Sequence, residues 1–206
     1  MKKQPQDDFI EILTDKYQLL SLDESDLIRE LDLGCGVGSF TAALAQRYPE
    51  RKIFAADVMI GRLRKLVKRN KRMDVNNMTI LRVEARNLIS YMFPDNSLDR
   101  IHFLCPDPWP KDRHKGHRVL VSDFTSQIHR VLKEDGVFHF ASDDEDYYAM
   151  GNNALRMSGL FIEEVQHISD IADIKSDFEV RWLAEGKKVH HTAWRKIPRP
   201  AKSIGH

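Results

Sequence analysis

Cysteine is scarce. Cys35 and Cys105 are the two in 206 residues, too few for a disulfide framework and without the paired spacing of a zinc site. They read as reduced thiols, which suits a cytoplasmic protein. Long apolar runs are missing too: none approaches the roughly twenty residues that cross a bilayer, so no membrane role is expected. The opening Met1-Lys2-Lys3-Gln4-Pro5-Gln6-Asp7-Asp8 has no apolar core of a secretory signal. Net charge is nearly absent, 32 Lys+Arg against 31 Asp+Glu giving +1, so whole-chain electrostatics does not mark a nucleic-acid binder. No metal is expected: His190 and His191 are neighbours on an expected strand and point to opposite faces. No internal repeats or low-complexity linkers interrupt the chain, whose length suits one well-packed domain.

What is present is an alternation of strand and helix signals. Strands are expected near Leu27–Leu33, Ile53–Asp57, Thr79–Val83, Leu98–Leu104 and Gly136–Ala141, with helices over Thr41–Tyr48, Ile60–Met73, Ala85–Met92, Ser122–Leu132 and Asp146–Ser158. Ser122 is the expected N-cap of the fourth helix. Leu160–His167 and Lys187–Lys196 read as an antiparallel pair separated by a polar insert, Ser169–Gly186. The pattern predicts a mostly parallel α/β sheet covered on both faces, with ligands at the carboxyl ends of its strands. Residues 1–26 read as an N-terminal extension, 27–197 as the domain, and 198–206 as a basic tail prone to fraying.

The first chemical signal is Asp32-Leu33-Gly34-Cys35-Gly36-Val37-Gly38, between an expected strand and an expected helix. Gly34, Gly36 and Gly38 permit a tight turn and close approach of backbone to ligand, and the helix offers its positive end. The spacing is G-x-G-x-G, not the dinucleotide fingerprint G-x-G-x-x-G. A carboxylate at Asp32 suits the sulfonium and amino-acid end of S-adenosylmethionine. Asp57 closes the next strand about twenty residues on, where a carboxylate can accept both ribose hydroxyls. Glu84-Ala85 closes the third, where an acid can meet an adenine edge. The simpler alternative is that Asp57 and Glu84 only cap the helices after them.

The second signal is Pro106-Asp107-Pro108-Trp109-Pro110-Lys111-Asp112-Arg113-His114-Lys115, leaving the strand Ile101-His102-Phe103-Leu104. Each proline fixes φ and restricts the residue before it. A stiff loop that sets an indole beside an acceptor suits a nucleobase, which stacks and hydrogen-bonds at once; the alternative is an ordinary connection with a structural tryptophan. Basic residues cluster in this loop and in Arg62, Arg64, Lys65, Lys68, Arg69, Lys71 and Arg72, a span without an acid. A basic face can be merely solvated, but two together suit RNA phosphates, contacts that position without reading sequence.

These motifs, with Pro94-Asp95-Asn96-Ser97-Leu98, resemble the bacterial tRNA (guanine-N7-)-methyltransferase family from about Leu31 to Trp194. The P-D-P-W-x-K-x-R-H segment is the specific part; the glycine turn would fit any class I methyltransferase. The resemblance implies a class I SAM-dependent, Rossmann-like three-layer α/β sandwich with a seven-stranded, mostly parallel sheet and a C-terminal antiparallel hairpin. It further implies S-adenosylmethionine as cofactor, tRNA as partner, and m7G formed in the variable loop; monomer and homodimer both stay open.

By position, Asp32, Asp57, Glu84 and Asp107 match the family's cofactor-binding acids, and Asp107 its active-site position. Lys111, Asp143 and the run Ser176, Asp177, Phe178, Glu179 match substrate-binding positions, with Trp109, Arg113, His114 and Arg118 expected beside them. The family carries Glu at positions 32 and 57 and Asp at 84. It has K-R-R where this chain has Gly116-His117-Arg118, and Thr where it has Ser176. Three rival functions stay open: methylation of a small molecule or protein amine, a nicotinamide dehydrogenase disfavoured by the glycine spacing, and a non-catalytic tRNA-binding module.

Overall fold

Alternating strand and helix segments become a three-layer α/β sandwich in the computed structural model, which describes residues 3–14, 17–22, 26–107 and 119–199. The sheet comprises β1 (Ile10–Ile12), β2 (Arg29–Leu33), β3 (Lys52–Asp57), β4 (Met78–Arg82), β5 (Leu98–Leu104), β6 (Leu132–Ser142), β7 (Phe161–Glu163) and β8 (His190–Lys196). Their spatial order is β1-β4-β3-β2-β5-β6-β8-β7. Pairing is parallel from β1 through β6, while β8 runs antiparallel to both β6 and β7. All seven expected strands are present. The eighth among the described residues, β1, comes from the expected N-terminal extension and pairs Ile10 with Ile80 at the sheet edge.

Chain order reverses between β3 and β5 on either side of β2, which opens a crevice at the carboxyl ends of these strands. All five residues of β2 are buried, as a central parallel strand covered on both faces must be. Leu31 and Leu33 face one core with Ile101, Phe103, Phe138 and Phe140. A fully buried side chain of this size contributes about 1.5–3 kcal/mol. That layer is covered by α4 (Ser122–Val131) and α5 (Glu145–Ser158). The other face lies under α1 (Ser39–Arg47) and α2 (Ile60–Met73), through Phe40, Leu44, Leu63, Leu66 and Val67.

The span of α2 matches its sequence pattern, and the helix ends where Asp74 turns left-handed at φ 53°. Three expectations are corrected. The helix expected over Ala85–Met92 is one α turn, α3 (Ala85–Asn87), running into a π turn at Leu88–Met92 whose Leu88, Ile89 and Met92 are buried. Ser122 is the first residue of α4, not its cap; Val121 precedes it without a side-chain cap. The polar insert Ser169–Gly186, given no element of its own, holds the end of a 3-10 segment, Val165–Ile171, and a helix, α6 (Asp177–Ala184). Arg47 ties this region to the end of α1, reaching the Asp173 carboxylate at 2.7 Å and the Asp170 carbonyl at 2.9 Å.

Candidate active site

The glycine turn needs all three of its glycines left-handed, at φ 84°, 59° and 74° for Gly34, Gly36 and Gly38. The Gly34 and Cys35 amides donate to the Ala56 carbonyl at 2.8 and 2.9 Å, stitching the turn to the end of β3. Gly38 is the N-cap of α1 and has no side-chain cap to offer. A Cβ there would lie 2.3 Å from Leu66 Cδ1, and Leu66 is fully buried. Gly38→Ala is therefore expected to cost about 3 kcal/mol, from left-handed strain plus overpacking. Chemical denaturation checks this, and an unchanged midpoint would show that Leu66 has room to move. At Gly34 the opposite holds: no atom lies within 4 Å of where a Cβ would be.

The open side of Gly34 faces a cleft of about 510 Å³ at the carboxyl edge of the sheet, within the size range of small-ligand sites. Asp57, Glu84, Ala85, Asp107 and Asp143 line it, with Val83, Phe103 and Tyr147 among its apolar walls. Asp57, 5% exposed, accepts from the Gly36 amide at 3.1 Å and the Met59 amide at 2.7 Å. Arg62 stands 3.6 Å away. Glu84 both lines the cleft and caps α3, accepting from Arg86 and Asn87 amides at 3.0 and 2.9 Å. Asp107 is exposed at the rim, just past Cys105, which bends the chain at φ 46°. Asp143 lines the cleft, whereas its neighbour Asp144 caps α5 through the Tyr147 amide.

A narrow extension of about 20 Å³ runs beneath the turn past Asp32, Gly36, Ser39, Ser176 and Phe178. Asp32 accepts the Thr41 hydroxyl there. Burial pushes its carboxyl up to about 7, against that hydrogen bond and with help from the Asp57 charge. Ser39 Oγ, at the start of α1, is buried without a hydrogen-bond partner. Burial also pushes both thiols up, Cys105 to about 12 with Asp143 and Glu179 adding to the effect. Neither cysteine is therefore a thiolate at neutral pH.

Ser176 caps α6, accepting from the Glu179 amide at 3.1 Å. Phe178 lies across the turn, 3.7 Å from a Cβ built on Gly36, and lines both the cleft and its extension. Glu179 points away from the cleft, 4% exposed, to Lys175 at 2.8 Å and His191 at 3.1 Å. Trp109, Lys111, Arg113, His114 and Arg118 lie outside the described residues. Sequence reading missed Trp182, Tyr147 and Arg62 as cleft residues. The i, i+4 spacing of Phe178 and Trp182 was the available sign of a helix with one apolar stripe. Among the described residues no cluster of three or more His, Cys, Asp or Glu is placed to hold a metal.

A parallel sheet with one antiparallel strand near its end, a glycine turn after a central strand and acids on the neighbouring strand ends define the class I methyltransferase fold. Solved structures agree. The 16S rRNA methyltransferase KamB aligns with TM-score 0.60 at 14% identity, covering 83% of this chain and 88% of its own. An rRNA methylase from Streptococcus thermophilus aligns at 0.57 and 18% identity, over 84% and 89%. Within that class, a family described as putative methyltransferase matches residues 28–192. The tRNA (guanine-N(7)-)-methyltransferase of Geobacter metallireducens is 32% identical over 173 residues, 81% of either protein. Its namesake from Thermotoga maritima is 33% identical over 167 residues, 81% of this chain, which spans about half (53%) of that relative. The chain belongs to the tRNA (guanine-N(7)-)-methyltransferase family.

Proposed function

We propose that this chain transfers the methyl group of S-adenosylmethionine to N7 of a guanine in the tRNA variable loop, giving m7G. The observation that carries the reading is the convergence of Asp57, Glu84, Asp107 and Asp143 on one cleft beside an open glycine turn. The chain's own residues suit the cofactor. Gly34 leaves clear space, Ser39 Oγ is an orphaned buried hydroxyl, and Asp32 is a buried acid next to it. A cationic amino group arriving there favours ionised Asp32, whose carboxyl burial and the Asp57 charge otherwise raise to about 7. Asp57 serves the ribose hydroxyls, and Glu84 with Ala85 flanks the adenine.

S-adenosylmethionine supplies an electrophilic methyl group on a sulfonium. Guanine N7 already carries an in-plane lone pair, so no proton has to be removed from it. Catalysis is then alignment. Asp107 orients the guanine, Asp143 accepts from its donor edge, and Phe178 closes the apolar side. Trp109 supports the base, Lys111, Arg113 and Arg118 hold phosphates, and His114 contacts the RNA or its own loop. On α2, Lys65, Lys68 and Arg72 make no ion pair with a described residue, and they offer further phosphate contacts. Extruding the stacked guanine costs a few kcal/mol. The tRNA substrate sets the work in the cytoplasm.

The test is incubation with labelled S-adenosylmethionine and unmodified tRNA, followed by nuclease digestion and identification of the labelled nucleoside. The label is expected in m7G alone. Label in another nucleoside or in a protein amine overturns the assignment, and salt-dependent tRNA binding with no label leaves only a binding module.

A further inference from the structure

Three imidazoles cross the sheet in a hydrogen-bonded chain on the face covered by α1. Glu30 on β2, fully buried, lies 2.8 Å from His102 Nε2 on β5. His102 Nδ1 is 3.0 Å from His139 Nδ1 on β6, its cross-strand partner. His139 Nε2 is 3.0 Å from His191 Nδ1 on β8, and His191 Nε2 is 3.1 Å from Glu179 Oε1 on α6. The register explains the row: His102 pairs with His139, His139 with Ala193 and Ala141 with His191, so all three rings project from one face.

The four contacts need four protons. An ionised carboxylate only accepts, and three neutral imidazoles supply three N–H groups. The chain is therefore complete only when one ring is an imidazolium; with all three neutral, one contact sets lone pair against lone pair. Neither acid takes up the extra proton. Burial pushes the Glu30 carboxyl up, but His102, Arg100 and Arg51 outweigh it and hold it at about 2. Burial likewise raises Glu179, and His191 and Lys175 bring it below the ordinary carboxylate range. Burial also pushes His102 and His139 below the usual histidine value. Position marks His191 for the charge: its side chain is 24% exposed where His102 and His139 are buried, and it lies against the Glu179 carboxylate at the open end of the row.

The groups facing this row are Arg51, Arg100 and Asp170 at the Glu30 end and Lys175 with Glu179 at the other. Phe40 from α1 packs edge-on against His102 and His139. A cavity of about 410 Å³ borders His139, His191 and Lys175, so these rings are not sealed in packed protein. What the chain grips is α6, which turns Glu179 inward and presents Phe178 and Trp182 to the cleft.

We propose that His191 is a positioning residue for methyl transfer: as an imidazolium it completes the row, pins Glu179, and so holds α6 with Phe178 and Trp182 against the cleft. Loss of its proton leaves His191 one N–H for two contacts, so the Glu179 contact is made only part of the time and Lys175 alone holds α6 in the remainder. This inference rests on reading the cleft as the site of cofactor and guanine.

The closing experiment has two readouts. Nitrogen-15 histidine spectra of the wild type are expected to show four N–H groups on the three rings at neutral pH, with one ring doubly protonated. Three N–H groups and no imidazolium at neutral pH would overturn the proposal. In turnover, the wild-type KM for S-adenosylmethionine is expected to rise about tenfold as rising pH removes the imidazolium seen in the spectra, kcat changing little. That is the sign set by a contact held with the proton and made only part of the time without it. His191→Gln is expected to show the high KM throughout, and His191→Lys to restore a low, pH-independent KM through a fixed cation beside Glu179. A KM whose pH dependence survives in His191→Gln would also overturn the proposal. A wild type that neither binds nor consumes S-adenosylmethionine would instead sink the reading of the cleft, with the proton count still decided by the spectra.

Discussion

Asp107→Ala is expected to slow methyl transfer to tRNA by about a hundredfold or more, equivalent to roughly 3 kcal/mol of transition-state stabilisation, while S-adenosylmethionine still binds. The expectation follows from where the residue stands. It sits on the exposed rim of the cleft, beyond the left-handed bend at Cys105, and makes no hydrogen bond to another described residue. Its removal should therefore leave the fold alone and take from the guanine an acceptor that fixes its orientation. In an alignment mechanism a misplaced acceptor ring shows in the rate. Single-turnover rates with labelled cofactor, set beside calorimetric affinity for S-adenosylhomocysteine, separate the two effects. Undiminished turnover removes Asp107 from the mechanism, and an equal loss of affinity and rate assigns it to cofactor binding alone.

Asp57→Ala is expected to have the other large effect, on affinity and on stability together. The carboxylate is nearly buried and accepts from the Gly36 and Met59 amides, so it braces the glycine turn against the start of α2. Truncation leaves the buried Gly36 amide without a partner, at about 1–3 kcal/mol, and takes the acceptor from the Met59 amide at the surface. Cofactor affinity should fall about a hundredfold, near 2.7 kcal/mol, through loss of the ribose acceptor and of the turn's shape. Asp57→Asn, which keeps one acceptor oxygen, should fall between. Thermal unfolding and calorimetry on the same samples check both. A destabilised Asp57→Ala that binds S-adenosylhomocysteine as the wild type does would reduce Asp57 to a brace.

Where sequence signals were strong the structure follows them closely. The basic helix α2 keeps its expected span because Leu63, Leu66 and Val67 recur on one buried stripe. Asp57 and Glu84 do stand at strand ends on one cleft; Glu84 also caps the helix after it, as the simpler reading proposed, whereas Asp57 reaches the Met59 amide ahead of α2, which has no side-chain cap. The two roles are compatible. β1 escaped notice because three residues with a single buried side chain, Ile10, leave no periodic pattern. α6 escaped because its aromatic side faces a cleft: Phe178 stays 43% exposed, and the segment reads as a polar insert. The histidine row was illegible for a different reason. Positions 30, 102, 139 and 191 have no sequence relation, and only strand register brings them together.

The proposed function comes down to one chemical statement, that a guanine nitrogen lone pair attacks the methyl group without prior loss of a proton. The most direct measurement compares two tRNAs with labelled S-adenosylmethionine, one unmodified and one carrying 7-deazaguanosine at the methylated position. The second keeps the Watson–Crick edge and the stacking face but replaces N7 by a carbon. The expected result is stoichiometric label in m7G from the first and none from the second, with both bound alike. Equal label from the two would contradict direct transfer to N7.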